Sequence, residues 1–250
     1  MTDVVRRGQR SRLQPHEVPR LLPTPTARAA AVALAMVTVL HLVAQAVGDA
    51  TAARLTQVAL MPLLAATVWC ATSAPRSRLV RLVLVALGCA WLGDSLPGLF
   101  AGDTAFLVMV AGFLAAQVVY VVAFWPRRRA SLARRPGVVA VYAGVALLLV
   151  GVCAPGAPGP LLAAVVVYGA CLVTMALLAT GVHPLTGVGA AVFLVSDAMI
   201  ALGAFTPWFT TSGFWVMLTY VVGQCLVVAG VLARCIHSAE PSIGTNPSRS

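Results

Sequence analysis

LVRLVLVALGCAWLGDSLPGL, residues Leu79–Leu99, decides how the chain is read. At a rise of 1.5 Å per residue, about 20 apolar residues cross a hydrocarbon core of roughly 30 Å. This run meets that length, and within it only Arg81, near the start, and Asp94, near the end, are charged. A carboxylate inside a membrane span is costly and adds nothing to packing, so an acid kept there points to function. The number of further runs of this kind fixes the fold. The polar residues that meet Asp94 fix the site.

Seven more apolar runs follow the same pattern: Ala29–Val47, Leu55–Ala71, Ala105–Trp125, Val138–Cys153, Leu161–Gly181, Leu185–Phe205 and Phe214–Ala233. The fold class expected is therefore all-α, a polytopic membrane protein of eight transmembrane helices. Composition agrees: 60% of residues are hydrophobic and 10% charged, against about 25% charged in an ordinary soluble domain. All 17 basic residues are Arg, and they are segregated. Arg6, Arg7, Arg10, Arg12 and Arg20 lie in the N-terminal tail, with Arg28 at the membrane edge. Arg76 and Arg78 occupy the second loop, with Arg81 just inside the next span, and Arg127, Arg128, Arg129, Arg134 and Arg135 the fourth. The first loop has only Arg54, and the third, fifth and seventh have none. Alternating basic and non-basic loops predict both termini in the cytoplasm, N-in and C-in. The same segregation argues against nucleic acid as the partner of the net charge of +10.

Three regions are expected: a flexible basic cytoplasmic tail over 1–28, an eight-helix transmembrane domain over 29–235, and a disordered cytoplasmic tail over 236–250. The first region lacks the apolar stretch of a cleavable signal peptide. The six Cys form no C-x-x-C pair, so they read as small buried hydrophobes rather than a disulfide or zinc framework.

The polar residues inside the spans are few. Asp94 and Asp197, in spans three and seven, lie about 15 and 12 residues into parallel helices, which puts both roughly 18–23 Å from the cytoplasmic face. Gln57 in span two, Tyr168 in span six, and Tyr220 and Gln224 in span eight reach the same outer half. Ser95 and Ser196 flank the acids. Gln117 lies near mid-membrane in span four, and Tyr120 one turn deeper. Isolated Gln and Tyr residues in spans also serve as interhelical glue. Two acids at one depth, with no intramembrane Lys or Arg to neutralise them, point instead to a shared site. No metal or cofactor is expected, because His41 and His183 fall at opposite ends of the membrane and a zinc site needs three ligands together. Gly189-Ala190-Ala191 suits close helix packing rather than phosphate binding.

Five motifs follow one another in order: "LMPLL" at Leu60–Leu64, "WLGDSLP" at Trp91–Pro97, "GFLAAQVVY" at Gly112–Tyr120, the Tyr168…Met175 pair, and "GAAVFLVSDAMIALGAF" at Gly189–Phe205. In these the chain resembles the YhhN family of membrane proteins, which includes the lysoplasmalogenases, over about residues 30–235. The resemblance implies an eight-helix hydrolase of a bacterial plasma membrane. It would cleave the vinyl ether bond of a lysoplasmalogen to a fatty aldehyde and a glycerophospho-ethanolamine or -choline. The family's acidic positions fall on Asp94 and Asp197. This chain departs from many relatives in having Gln57 where they carry Lys and Gln117 where they carry His.

Vinyl ether hydrolysis suits an acid pair. One carboxylic acid protonates the β-carbon, and the other, ionised, stabilises the oxocarbenium ion, much as glycosidases divide the work between two acids. Asp94 and Asp197 are the expected catalytic pair, with roles unassigned between them. Gln57, Gln117, Tyr120, Tyr168, Tyr220 and Gln224 are the expected orienting or substrate-binding groups. The substrate, a lipid or lysophospholipid, would reach them laterally from the bilayer. Two other classes fit the same acids. A proton-coupled carrier predicts helices broken at mid-membrane, for which Pro62 and Pro97 are available. A non-catalytic lipid-binding relative predicts binding without turnover.

Overall fold

A computed structural model of the chain describes residues 21–157 and 159–239. Its long helices are α1 (Pro25–Val47), α2 (Ala50–Ala71), α3 (Arg78–Ser95), α4 (Gly102–Phe124), α5 (Pro136–Cys153), α6 (Pro160–Ala179), α7 (Pro184–Phe205) and α8 (Gly213–Ala239). Short 3₁₀ turns extend α3 over Leu96–Leu99, α4 over Trp125–Ala130 and α5 over Ala154–Gly156. All eight helices are long and apolar enough to cross a membrane. The expected tails lie mainly outside the described residues.

Local chemistry sets the helix ends. Pro25 opens α1, and the Thr24 hydroxyl accepts the Ala27 N–H at 3.0 Å. Gly48, at φ +76°, ends α1 in the left-handed region that a glycine adopts without strain. Asp49 then caps α2, accepting from the N–H groups of Thr51 and Ala52 at 3.1 and 2.9 Å. This cap starts the helix at Ala50 rather than Leu55. Arg54 is thereby drawn into α2, so the expectation that no intramembrane Arg accompanies the acids is corrected. Pro62 sits inside α2 without ending it. Pro97 falls in the 3₁₀ turn just beyond Asp94. Among the described residues, no spanning helix is broken at its middle.

Short connections make consecutive helices antiparallel. The Arg76–Arg81 and Arg127–Arg135 segments therefore share one end of the bundle, the basic end, with the start of α1. Neighbours pack in the order α1, α2, α3, α4, α6, α7, α8, and α8 returns to touch α1, α2 and α3. Helix α5 stands outside this ring against α6 and α7, and Cys153 is its one buried residue.

Glycines set the closest crossings. A Cβ at Gly112 of α4 would come within 2.6 Å of the Gly93 Cα of α3. One at Gly189 of α7 would come within 2.6 Å of the Val227 backbone nitrogen of α8, and one at Gly230 within 2.2 Å of the Thr186 hydroxyl. Lipid tails supply no hydrophobic drive between helices, so backbone contact through small residues holds such pairs together. Both crossings matter to the site. Gly93 immediately precedes Asp94, and α7 carries Asp197.

Candidate functional site

Asp94 lies 16 residues from the start of α3 and Asp197 13 from the start of α7, about 24 and 20 Å from the basic end. The matched depth read from the sequence holds to within one helical turn. Asp94 is sealed, at 4% exposure. Its Oδ1 accepts from the Gln57 amide at 3.2 Å, and its Oδ2 accepts from the Tyr220 hydroxyl at 2.8 Å. Arg54, one turn before Gln57, donates to the Ser95 carbonyl at 3.2 Å and lies against Gly98. Its guanidinium therefore covers the carbonyl end of α3, where a cation is favoured, and its charge acts on Asp94.

Asp197 is half-buried and accepts a short hydrogen bond from the Tyr168 hydroxyl. It lies close enough to Asp94 for the two charges to act on each other. Tyr220, the donor to Asp94, belongs to an aromatic wall in which the Phe113 and Phe193 rings lie at centroid distances of 5.7 and 5.6 Å from its own.

The two acids differ in access. A cavity of about 320 Å³ lies between α4, α5, α6 and α7, and Asp197 and Tyr168 line it. Asp94 does not. The remaining wall is almost wholly apolar, with Phe106 and Phe113 from α4 and Tyr142 and Val145 from α5 among its residues. It runs from Ala191 to Ala201 along α7 and from Val141 to Cys153 along α5, a length of about 15–18 Å. Val141, Val145 and Val195 line the cavity and are themselves exposed. The cavity therefore opens on the side of the bundle between α5 and α7, where lipid would be.

The other expected groups divide. Tyr220 and Gln57 hold Asp94, and Tyr168 holds Asp197. Tyr120 and Gln224 are turned to each other instead, joined by a 2.8 Å hydrogen bond from the phenol to the amide oxygen, both buried. Gln117 is fully buried beside Tyr168, and neither of its amide atoms completes a hydrogen bond. The Ser196 hydroxyl bonds the Val216 carbonyl at 2.9 Å and knits α7 to α8. His41 is buried between α1 and α2, with Nδ1 2.9 Å from the Thr56 hydroxyl, and His183 caps α7. Among the described residues, no three His, Cys, Asp or Glu side chains converge as metal ligands would. Sequence reasoning missed Arg54, Tyr142 and the aromatic wall. The Asp49 cap was the available signal for Arg54.

A sequence model of the YhhN family matches residues 52–231, which include Asp94, Asp197 and every helix lining the cavity. The chain belongs to the YhhN family. Among curated proteins and solved structures, none matches it. In this YhhN member the two acidic motifs, WLGDSLP and VSDAM, thus supply one sealed carboxyl and one that faces an apolar cavity.

Proposed function

We propose that the protein is a membrane hydrolase of the lysoplasmalogenase type, acting on a vinyl ether lysolipid. The observation that carries this reading is Asp197. It is the one carboxyl lining a long apolar cavity that opens sideways between α5 and α7. Such a cavity suits an alkyl chain, and Asp197 stands partway along it, where a bond near the head of that chain would rest.

The reaction needs no group beyond the two acids and water. Protonated Asp197 donates its proton to the β-carbon of the enol ether, leaving an oxocarbenium ion and the Asp197 carboxylate. Water adds to the cation and returns a proton to Asp197, giving a hemiacetal. The hemiacetal collapses to a fatty aldehyde and the glycerol hydroxyl of the head group. Atoms and charge balance at each step, and Asp197 ends as it began. Asp94, held by two donors, remains the fixed counter-charge that favours the cation. Tyr168 fixes the orientation of Asp197, and the buried Gln117 packs beside Tyr168.

The unbroken helices weigh against a mid-membrane carrier. In this reading the basic end faces the cytoplasm of a bacterial plasma membrane, and the acids lie in the outer half. Purified protein in detergent tests the activity. It should release aldehyde from a 1-alkenyl lysolipid and leave the saturated 1-alkyl ether and the 1-acyl ester intact. Turnover of the alkyl or acyl lysolipid without the alkenyl one would overturn it.

A further inference from the structure

A second concavity lies at the basic end, remote from both acids. The connection between α4 and α5 carries Arg127, Arg128, Arg129, Arg134 and Arg135 and no acidic residue. Topology alone requires positive charge here, in any arrangement. The connection is nevertheless held in one shape. Its 3₁₀ turns, Trp125–Ala130 and Leu132–Arg134, are pinned by the Leu132 N–H to the Thr180 hydroxyl at 2.9 Å and by the Ser131 hydroxyl to the Arg128 carbonyl at 2.8 Å. Gly181, in the turn just beyond α6, lies so close that a Cβ there would stand 2.5 Å from the Arg127 carbonyl oxygen.

The result is a groove of about 600 Å³ that Arg128, Arg129 and Arg134 line, with no carboxylate among its lining residues. Its far wall is apolar, with Val139 from α5 and the buried Leu177 and Leu178 from α6, and exposed Thr174 lies about 4.5 Å further into the span than Leu177. Trp125 stands at its rim, half exposed, with the Arg128 guanidinium 4.9 Å from its ring. Arg128 also donates to the Trp125 carbonyl at 3.4 Å, and arginines outside the groove are likewise satisfied within the protein. Arg76 stacks on Trp69 at 3.5 Å and donates to the Trp69 carbonyl, and Arg28 donates to the Leu22 carbonyl. The guanidinium groups of Arg129 and Arg134 have no hydrogen-bond or ionic partner among the described residues.

We propose that this groove binds the head group of an anionic phospholipid of the surrounding leaflet. The phosphate sits among the three guanidinium groups and the acyl chains descend along the α5–α6 wall. Guanidinium forks match phosphate oxygens two at a time, and basic pockets between membrane helices at this level take acidic head groups. Zwitterionic lipid offers the same phosphate with its charge cancelled, so net negative charge is the selecting property. A lipid seated here also bridges α6 and α5, the helix least held by protein contacts.

The test uses the full chain in neutral detergent, with phosphatidylglycerol, phosphatidylcholine and inorganic phosphate as probes. Lipid retention is read by native mass spectrometry and stability by thermal unfolding. Phosphatidylglycerol should be retained and raise the unfolding temperature, while phosphatidylcholine and millimolar phosphate should do neither. Replacing Arg128, Arg129 and Arg134 together by Gln should weaken phosphatidylglycerol binding roughly 100-fold, about fivefold per charge removed. The triple Lys variant keeps the charge that orients the chain and loses the forks. It should insert normally and bind several-fold more weakly, which covers the case in which the Gln variant fails to fold. Arg76→Gln should bind as wild type. Equal retention of both lipids, undiminished binding by the triple Gln and triple Lys variants, or an equal shift from phosphate alone would each overturn the proposal.

Discussion

Asp94 and Asp197 share a layer of the bundle and differ in nearly everything else. Asp94 ends a helix, is sealed behind Tyr220 and Phe113, and accepts hydrogen bonds on both oxygens. Asp197 lies inside a helix, is held at one oxygen by Tyr168, and faces an apolar cavity at the side of the bundle. Acids that look alike in sequence are thus given different surroundings by the fold. In the proposed mechanism the sealed acid acts through its charge and the open one touches the substrate.

Substitutions that remove one property at a time test this difference. Asp197→Asn should cost the most, about 10²–10⁴-fold in aldehyde release, the usual worth of a general acid. Asp94→Asn keeps the shape and deletes the counter-charge, with a loss on the order of 10²-fold in kcat and little change in KM. A reversed ranking would transfer the proton-donor role to Asp94. Tyr168→Phe removes the hydrogen bond that stabilises the Asp197 carboxylate as its proton leaves, worth about 1.5–3 kcal/mol, and should slow turnover roughly tenfold or more. Val145→Trp narrows the cavity mouth and should raise KM for long-chain lysolipid more than for short-chain, with kcat nearly unchanged. Tyr120→Phe should leave the rate alone and lower stability by about 1–3 kcal/mol, because it leaves the buried Gln224 amide oxygen without a donor. Thermal unfolding beside the aldehyde assay checks that separation.

Much of this was legible in the chain. Run length and the alternation of Arg-bearing loops are one-dimensional signals, so eight spans could be counted. A constant rise per residue made the shared depth of Asp94 and Asp197 a matter of arithmetic. Rotation about a helix axis is different, since it depends on which neighbour packs where. Nothing in WLGDSLP or VSDAM says which acid turns to a cavity. The position of α5 outside the ring, which brings Tyr142 to the site, follows from tertiary packing. Tyr120 and Gln224 read as site residues because they are polar and buried, and the hydrogen bond between them is equally the glue that membrane helices use. Arg54 was misplaced by a boundary error of little more than one turn, which the Asp49 cap corrects.

The central claim is that a lipid's vinyl ether receives its proton from the cavity-facing acid. The most direct measurement is aldehyde release from a 1-alkenyl lysolipid by wild type and Asp197→Asn, purified together and matched in unfolding temperature. Steady release by wild type, with at least about a hundredfold loss in the variant, is the result expected. Release by folded Asp197→Asn at the wild-type rate would contradict it.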